Sequence, residues 1–229
     1  MSQKRGPYNS PRQMQRRRNI LAAAHTEMRD HGLTSVTMKN IAERSGVSTK
    51  TLYNLFGSRD LLLLDAASVL LDDLEASDAV QCAKQGIPRL LAYTEAAMRG
   101  FEYGEFARYI ISILFAAEPD HPAVHAQLGR IQRIAYHALC AAEREGELKP
   151  GLDLDRLSHV IAANQWGVAL MWEKGLIDRH GLELQTMTSH YLTLLSVCTG
   201  KRRRSLQDQL NQYLEPDVAA GQPQPLEQK

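Results

Sequence analysis

The chain has 229 residues, 44% of them apolar, and a net charge of +1. That length accommodates one large domain or two modest ones, and that apolar share supports a packed core and excludes wholesale disorder. Three cysteines, Cys82, Cys140 and Cys198, stand far apart with no CxxC pair, which argues against a disulfide framework or zinc ribbon and fits buried thiols in a reducing cytoplasm.

Residues 1–12 are polar, with Pro7 and Pro11, and read as a flexible basic arm, a solvated tail in the first instance. No apolar run follows their charges, so no signal peptide is expected. No later stretch approaches the ~20 apolar residues of a membrane span. A helix is predicted over 13–30, where Ile20, Ala24 and Met28 recur at four-residue spacing beside Leu21. Arg16, Arg17 and Arg18 lie in its first turns, where the helix dipole disfavours cations; a nearby phosphate backbone would favour that placement. Gly32 closes the helix, and Leu33 and Val36 lead to Thr37.

The stretch 37–59 carries the strongest signal. A short helix over 37–44 has Met38, Ile41 and Ala42 on one face. Ser45-Gly46-Val47 breaks it, Gly46 being suited to the left-handed conformation of a tight corner. Ser48 caps a second helix through Phe56, and Leu52 and Leu55 pin that helix from within. A small residue, a glycine corner and inward aliphatics at these spacings make a helix-turn-helix over 37–56. Charge supports a polyanionic partner. Eleven lysines and arginines fall at or before Arg59 against Glu27, Asp30 and Glu43, while the remainder is net acidic.

Ser58 and Asp60 open a helix to about Glu75, apolar on more than one side through Leu61, Leu62, Leu63 and Leu64, and so expected to pack against both lobes. From Gln85 the pattern is helical throughout. Segments start at Pro88 and at Glu105, the latter broken at Pro119 and Pro122, and a long helix follows to about Glu145. Asp153 caps the next, in which Leu157, Ile161, Asn164, Val168 and Met171 are placed on one stripe. Another runs over 182–198, then an amphipathic piece with Leu206 and Leu210, and a flexible tail over 216–229. No strand signal or internal repeat is present. The expected fold class is all-α: an N-terminal three-helix helix-turn-helix DNA-binding domain (13–75) continuous with a larger C-terminal helical bundle (76–215).

Taken together, Ile41-Ala42, Gly46-Val47-Ser48, Leu52-Tyr53, Phe56, Arg59 and Leu61-Leu62 resemble the TetR family of transcriptional regulators over roughly residues 13–75. The resemblance implies a homodimer, a palindromic double-stranded DNA operator and repression relieved by a small molecule. On the residues themselves, Ser48, Thr49, Lys50 and Thr51 begin the helix that points at base edges, Lys50 for guanine and the threonines for thymine methyls or phosphates. Thr37 is positioned to hold a phosphate with the free amides beside it. Tyr53 matches the family's phosphate-contacting tyrosine, Asn54 is its neighbour, and Arg59 stands where the family usually has lysine. Leu55 departs from the family's usual His or Tyr. The family pairs through its last two long helices, here about 153–174 and 182–198.

An effector, small and apolar or aromatic, is expected in the larger bundle, with Met98, Phe106, Tyr109 and Asn164 as candidate lining residues; plain core is the default for the first three. Asn164, an amide within an apolar stripe, is read as orienting a ligand or pairing across the dimer. His121 and His125 beside Glu118 and Asp120 lack a third metal ligand, and His137 with Cys140 lacks an orienting acid. No metal, cofactor or catalytic constellation is therefore expected. The basic run Lys201, Arg202, Arg203, Arg204 reads as a solvated cap before a second nucleic-acid patch. The competing reading is a helical small-molecule-binding or enzymatic protein with a vestigial helix-turn-helix.

Overall fold

The computed structural model describes residues 11–32, 36–100, 104–118 and 120–214. Most of the expected arm and the expected tail therefore lie outside the described residues. Helices account for nearly all of the rest: α1 (Pro11–His31), α2 (Met38–Ser45), α3 (Thr49–Phe56), α4 (Arg59–Ala76), α5 (Asp78–Gln81), α6 (Ile87–Gly100), α7 (Gly104–Ala116), α8 (Pro122–Arg144), α9 (Leu154–Glu173), α10 (Arg179–Val197) and α11 (Gly200–Leu214). The fold class is all-α; the one β-like pairing among the described residues is an isolated bridge between Leu148 and Cys198.

Local chemistry sets many of the boundaries. Thr37, Ser48, Ser58, Asp153 and Asp178 each accept a backbone N–H of the helix they precede, satisfying donors that have no partner within the helix. Pro122 opens α8, where a missing N–H costs nothing, and His121 Nδ1 accepts from the Ala123 amide at 3.2 Å.

Three apolar cores follow. The first joins α1, α2, α3, α4 and α7 through Ile20, Ile41, Leu52, Leu62 and Ile110, and reaches Val124 of α8. The second packs α6, α8, α10 and α11 around Leu90, Leu139, Leu194 and Leu206. The third lies between α6, α7, α9 and α10, with Tyr93, Ile111, Trp172 and Leu182. Helix α4 enters the first core from several sides, because Leu62, Leu63 and Leu64 are all buried. Its outer end is tied to α8: Gln127 Nε2 donates to the Leu64 carbonyl at 3.2 Å, and the buried Arg130 reaches Asp72 at 2.7 Å, Glu75 at 3.5 Å and the Ser68 hydroxyl at 3.0 Å.

Several expectations are corrected. Helix α1 begins at Pro11, inside the segment read as an arm. Helix α5 has only four residues, too few to show a period, and α10 starts at Arg179, ahead of its first apolar residue. Cys82 is exposed, whereas Cys198 is buried and burial pushes its thiol up to about 11. The residues 157, 161, 164, 168 and 171 do not share one buried stripe. Ile161 is buried, while Asn164 and Met171 face outward, because α9 packs on α7, α8 and α10 with faces that a single stripe does not describe. The basic run lies in the first turn of α11 as a clasp. Arg202 grips Glu147 through two bonds of 2.9 Å, and Arg203 donates to the Leu195 carbonyl at 2.6 Å.

One buried base is expected to make the fold acid-sensitive. His190 of α10 is 1% exposed, and its Nδ1 lies 2.8 Å from the Thr186 carbonyl. Burial holds its pKa below the ordinary value. The unfolded chain therefore takes up a proton near pH 6.5 that the folded chain refuses. The stabilisation is complete above that value and is lost as pH falls towards the folded pKa, by at most about 1.4 kcal/mol per pH unit for one group. Urea midpoints at pH 7.5 and 5.5 are expected to drop more for the wild type than for His190→Gln; equal drops would remove His190 as the cause.

Candidate nucleic-acid interface

The helix-turn-helix is built from three local devices. Thr37 caps α2, its hydroxyl accepting the Asn40 amide at 3.1 Å. Gly46 turns the corner with φ 66 and ψ 31, its N–H donating to the Glu43 carbonyl at 3.3 Å while Val47 donates to Ala42 at 3.0 Å. Ser48 then caps α3, accepting from the Thr51 amide at 3.2 Å. Leu52 and Phe56 bury the inner face of α3, each contributing about 1.5–3 kcal/mol by burial. Thr49, Lys50, Tyr53 and Asn54 consequently face outward.

Thr49, Lys50, Tyr53 and Asn54 make no side-chain hydrogen bond or ion pair among the described residues, and Tyr53 is 54% exposed. They form one face rich in donors, with a cation and a phenol suited to base edges and phosphate oxygens. Ser48 and Thr51, expected as readers, are engaged with each other at 3.0 Å, so their first role is to hold the helix start. Thr37 is exposed beside the first amides of α2.

Two arginines expected to face DNA turn inward. Arg17 stacks over Phe56 at 4.5 Å, donates to the Leu55 carbonyl at 3.4 Å and forms an ion pair with Asp65 of α4. Burial raises the Asp65 pKa, and Arg17 opposes that rise. Arg16 and Arg18 remain exposed. Arg59 is half-buried at the start of α4. It donates to the Val36 carbonyl at 2.5 Å and to the Tyr109 hydroxyl at 2.6 Å, and lies 3.6 Å from Asp60. The Tyr109 hydroxyl donates in turn to Asp60 at 2.7 Å, and burial with that bond raises its pKa. The Arg59 guanidinium thus joins α4 to α7, a contact that the sequence did not foretell.

The sequence reading missed a polar clamp between α1 and α2. Glu27 is buried and meets Arg44 Nε at 2.8 Å, His31 at 3.5 Å and Asn40 Nδ2 at 3.4 Å. The available signal was a carboxylate within the Ile20, Ala24, Met28 face, since a charge there needs a partner.

The candidate ligand residues do not converge. Met98 belongs to the third core and Phe106 to the first, and Tyr109 belongs to the Arg59 joint. Asn164 lies outside, its amide 3.5 Å from the Thr193 hydroxyl. A cavity lies elsewhere, between the end of α4, α5, α6 and α8, with His137 and Cys140 in its wall.

Residues 20–66 match the family described as bacterial regulatory proteins, tetR family. The chain is 35% identical over 74 residues to the HTH-type transcriptional regulator BetI of Agrobacterium fabrum, an alignment covering 32% of this chain and 36% of that protein. The chain thus spans about a third of that relative's length. The fold is similar to Thermus thermophilus FadR, a TetR family transcriptional repressor solved with lauroyl-CoA (TM-score 0.61, 20% identity, 81% of this chain and 96% of that one). It is also similar to CprB of Streptomyces coelicolor in complex with its operator sequence (TM-score 0.56, 21% identity, 89% and 98%). At these identities the two structures show the fold alone.

The corner glycine gives a clean local test. No atom lies within 4 Å of a Cβ built on Gly46, so a side chain there meets only the cost of its left-handed backbone. Gly46→Ala is expected to lower stability by about 1–2 kcal/mol, and Gly46→Asn by less. Urea unfolding followed by circular dichroism measures this, and equal stability of Gly46→Ala and wild type would contradict the corner's role.

Proposed function

From the match of residues 20–66 to the tetR family of bacterial regulatory proteins, we propose that this chain is a TetR-type regulator, a sequence-specific DNA-binding repressor released from a two-fold operator when a small molecule occupies its helical body. The outward face of α3 carries the reading. Thr49, Lys50, Tyr53 and Asn54 are presented without internal partners on a helix whose opposite side is buried. In this assignment Lys50 and Thr49 meet base edges, and Tyr53, Asn54 and Thr37 meet phosphates. Ser48 and Thr51 contribute through the cap they share. Exposed Arg16 and Arg18 add long-range attraction, and Arg59 acts through the joint that orients α4.

One such helix reads too few bases for useful specificity, and two-fold pairing presents a second copy to the next major groove. Helices α9 and α10 support this pairing. Val160, Met171 and Leu192 are exposed apolar residues on them, and Ala163 and Gly167 are small and exposed on α9, which allows close approach of a second copy. The units 13–75 and 76–215 serve as reader and body. No described helix is long and apolar enough to cross a membrane, and the proposed role places the protein in the cytoplasm without a catalytic step of its own.

The test begins by enriching genomic fragments with the full-length protein. Affinity for an enriched site is expected to fall about 10³–10⁵-fold between 50 and 200 mM salt if six to ten phosphates are contacted. Lys50→Ala is expected to cost about 1–3 kcal/mol and relax sequence preference, while Tyr53→Ala weakens all sequences alike. Absence of preference for any fragment over random DNA at moderate salt would overturn the proposal.

A further inference from the structure

The cavity between α4, α5, α6 and α8 has a volume of about 440 Å³, within the range of small-ligand sites. Its wall carries three arginines, Arg89 from α6 and Arg133 and Arg144 from α8, against one carboxylate, Glu75. Glu75 already faces the buried Arg130 at 3.5 Å, so it leaves the three arginines largely uncompensated. Nearby, Lys84 and Glu145 pair with each other at 2.6 Å and do not alter that balance.

The three cations differ in how they are held. Arg89 directs Nη2 to the Gln81 and Ala83 carbonyls, each at 3.1 Å, which fixes the guanidinium in the wall; its Nε is buried without a hydrogen-bond partner. Arg144 donates from Nε to the Cys140 carbonyl of its own helix at 3.3 Å. Arg133 is exposed and makes no side-chain hydrogen bond or ion pair among the described residues. Between them lies an apolar strip of Leu90, Ile134 and Ala138 with the buried ring of Tyr93, bordered by polar Gln81, Gln85 and His137. Uncompensated arginines beside an apolar wall match a molecule with an oxyanion at one end and a hydrocarbon body at the other.

We propose that this cavity binds a small amphipathic organic anion, its carboxylate or phosphate held by Arg89, Arg133 and Arg144 and its apolar body lying on Leu90, Tyr93 and Ile134. This rests on the reading of the chain as an effector-responsive regulator and adds an anionic group to the small apolar or aromatic effector expected from sequence. Arg133, with no internal partner, is the recruiting charge, and Arg89 is the preset one. Glu75 excludes a second negative group from the α4 side.

Calorimetric titration of the full chain with octanoate, octyl phosphate, octanol and octylamine tests the assignment. At least one of the two anions is expected to bind tenfold or more tightly than octanol, and octylamine more weakly still. The stronger of the two anions identifies the headgroup. Arg133→Ala is expected to weaken anion binding about tenfold and Arg133→Glu more, with the helical circular dichroism spectrum unchanged. Arg133→Lys should restore part of the affinity. Equal binding of octanol and octanoate, no binding of any probe, or full affinity in Arg133→Glu would overturn the proposal. The readout needs no DNA. Anion binding alongside absent operator binding would defeat the proposed function and leave this site standing, and the reverse result would defeat this site alone.

Discussion

Helix α4 constrains everything else in the molecule. Its run of four leucines places apolar side chains around much of its circumference, and Leu62, Leu63 and Leu64 are almost wholly buried. A helix apolar on several sides has to be enclosed, so the helix-turn-helix must lie on one flank and α7 and α8 on the others. Polar ties then fix its setting. Arg17 holds Asp65 from the DNA side, Arg59 joins Val36 to Tyr109 at the start of the helix, and Arg130 gathers Ser68, Asp72 and Glu75 near its end. Losing one partner of such a buried or half-buried pair strands the other, which costs more than the pair itself contributes. Movement of the body relative to the reading helix therefore has to pass through α4.

That arrangement explains how the positive charge is divided. Arg17 and Arg59 belong to the basic N-terminal lobe by sequence, yet both are drawn inward to satisfy carboxylates and carbonyls around α4. The charge left exposed includes Arg12, Arg16, Arg18 and Lys50, on surfaces with few internal bonds. In the proposed function, specificity and attraction rest on α3 and α1, while orientation rests on the inward arginines. The distinction matters because an attractive charge acts over a Debye length, whereas a positioning charge acts only in contact.

Much of the DNA-facing half was legible in the sequence because its determinants are local. A serine or threonine before a helix, a glycine at a left-handed corner and aliphatics at helical spacing each act within a few residues. The outward placement of Thr49, Lys50, Tyr53 and Asn54 follows directly from the inward placement of Leu52 and Phe56. The body was less legible, since its determinants are tertiary. Asn164 shares a sequence period with Ile161, yet α9 has several neighbours and an outer face, so one period cannot separate buried from exposed positions. The Arg59 joint was not foreseen because nothing local reveals Tyr109, fifty residues away, as a partner. The cavity draws on four elements, one of them the four-residue α5, and its arginines are unremarkable as sequence. Glu27 carried a signal that was not read, a charge on an apolar face that needs a partner such as Arg44.

The most direct test of the central idea, that two reading helices act as one spaced pair set by α4, is a distance between copies. A spin label at Asn54→Cys, in a background with Cys82→Ser to remove the exposed native thiol, reports the separation of the two α3 helices by pulsed dipolar spectroscopy. With an enriched operator bound, one narrow distance compatible with successive major-groove faces, about 34–36 Å, is expected. Absence of any dipolar coupling between copies on that DNA would contradict the paired reading helix on which the mechanism stands.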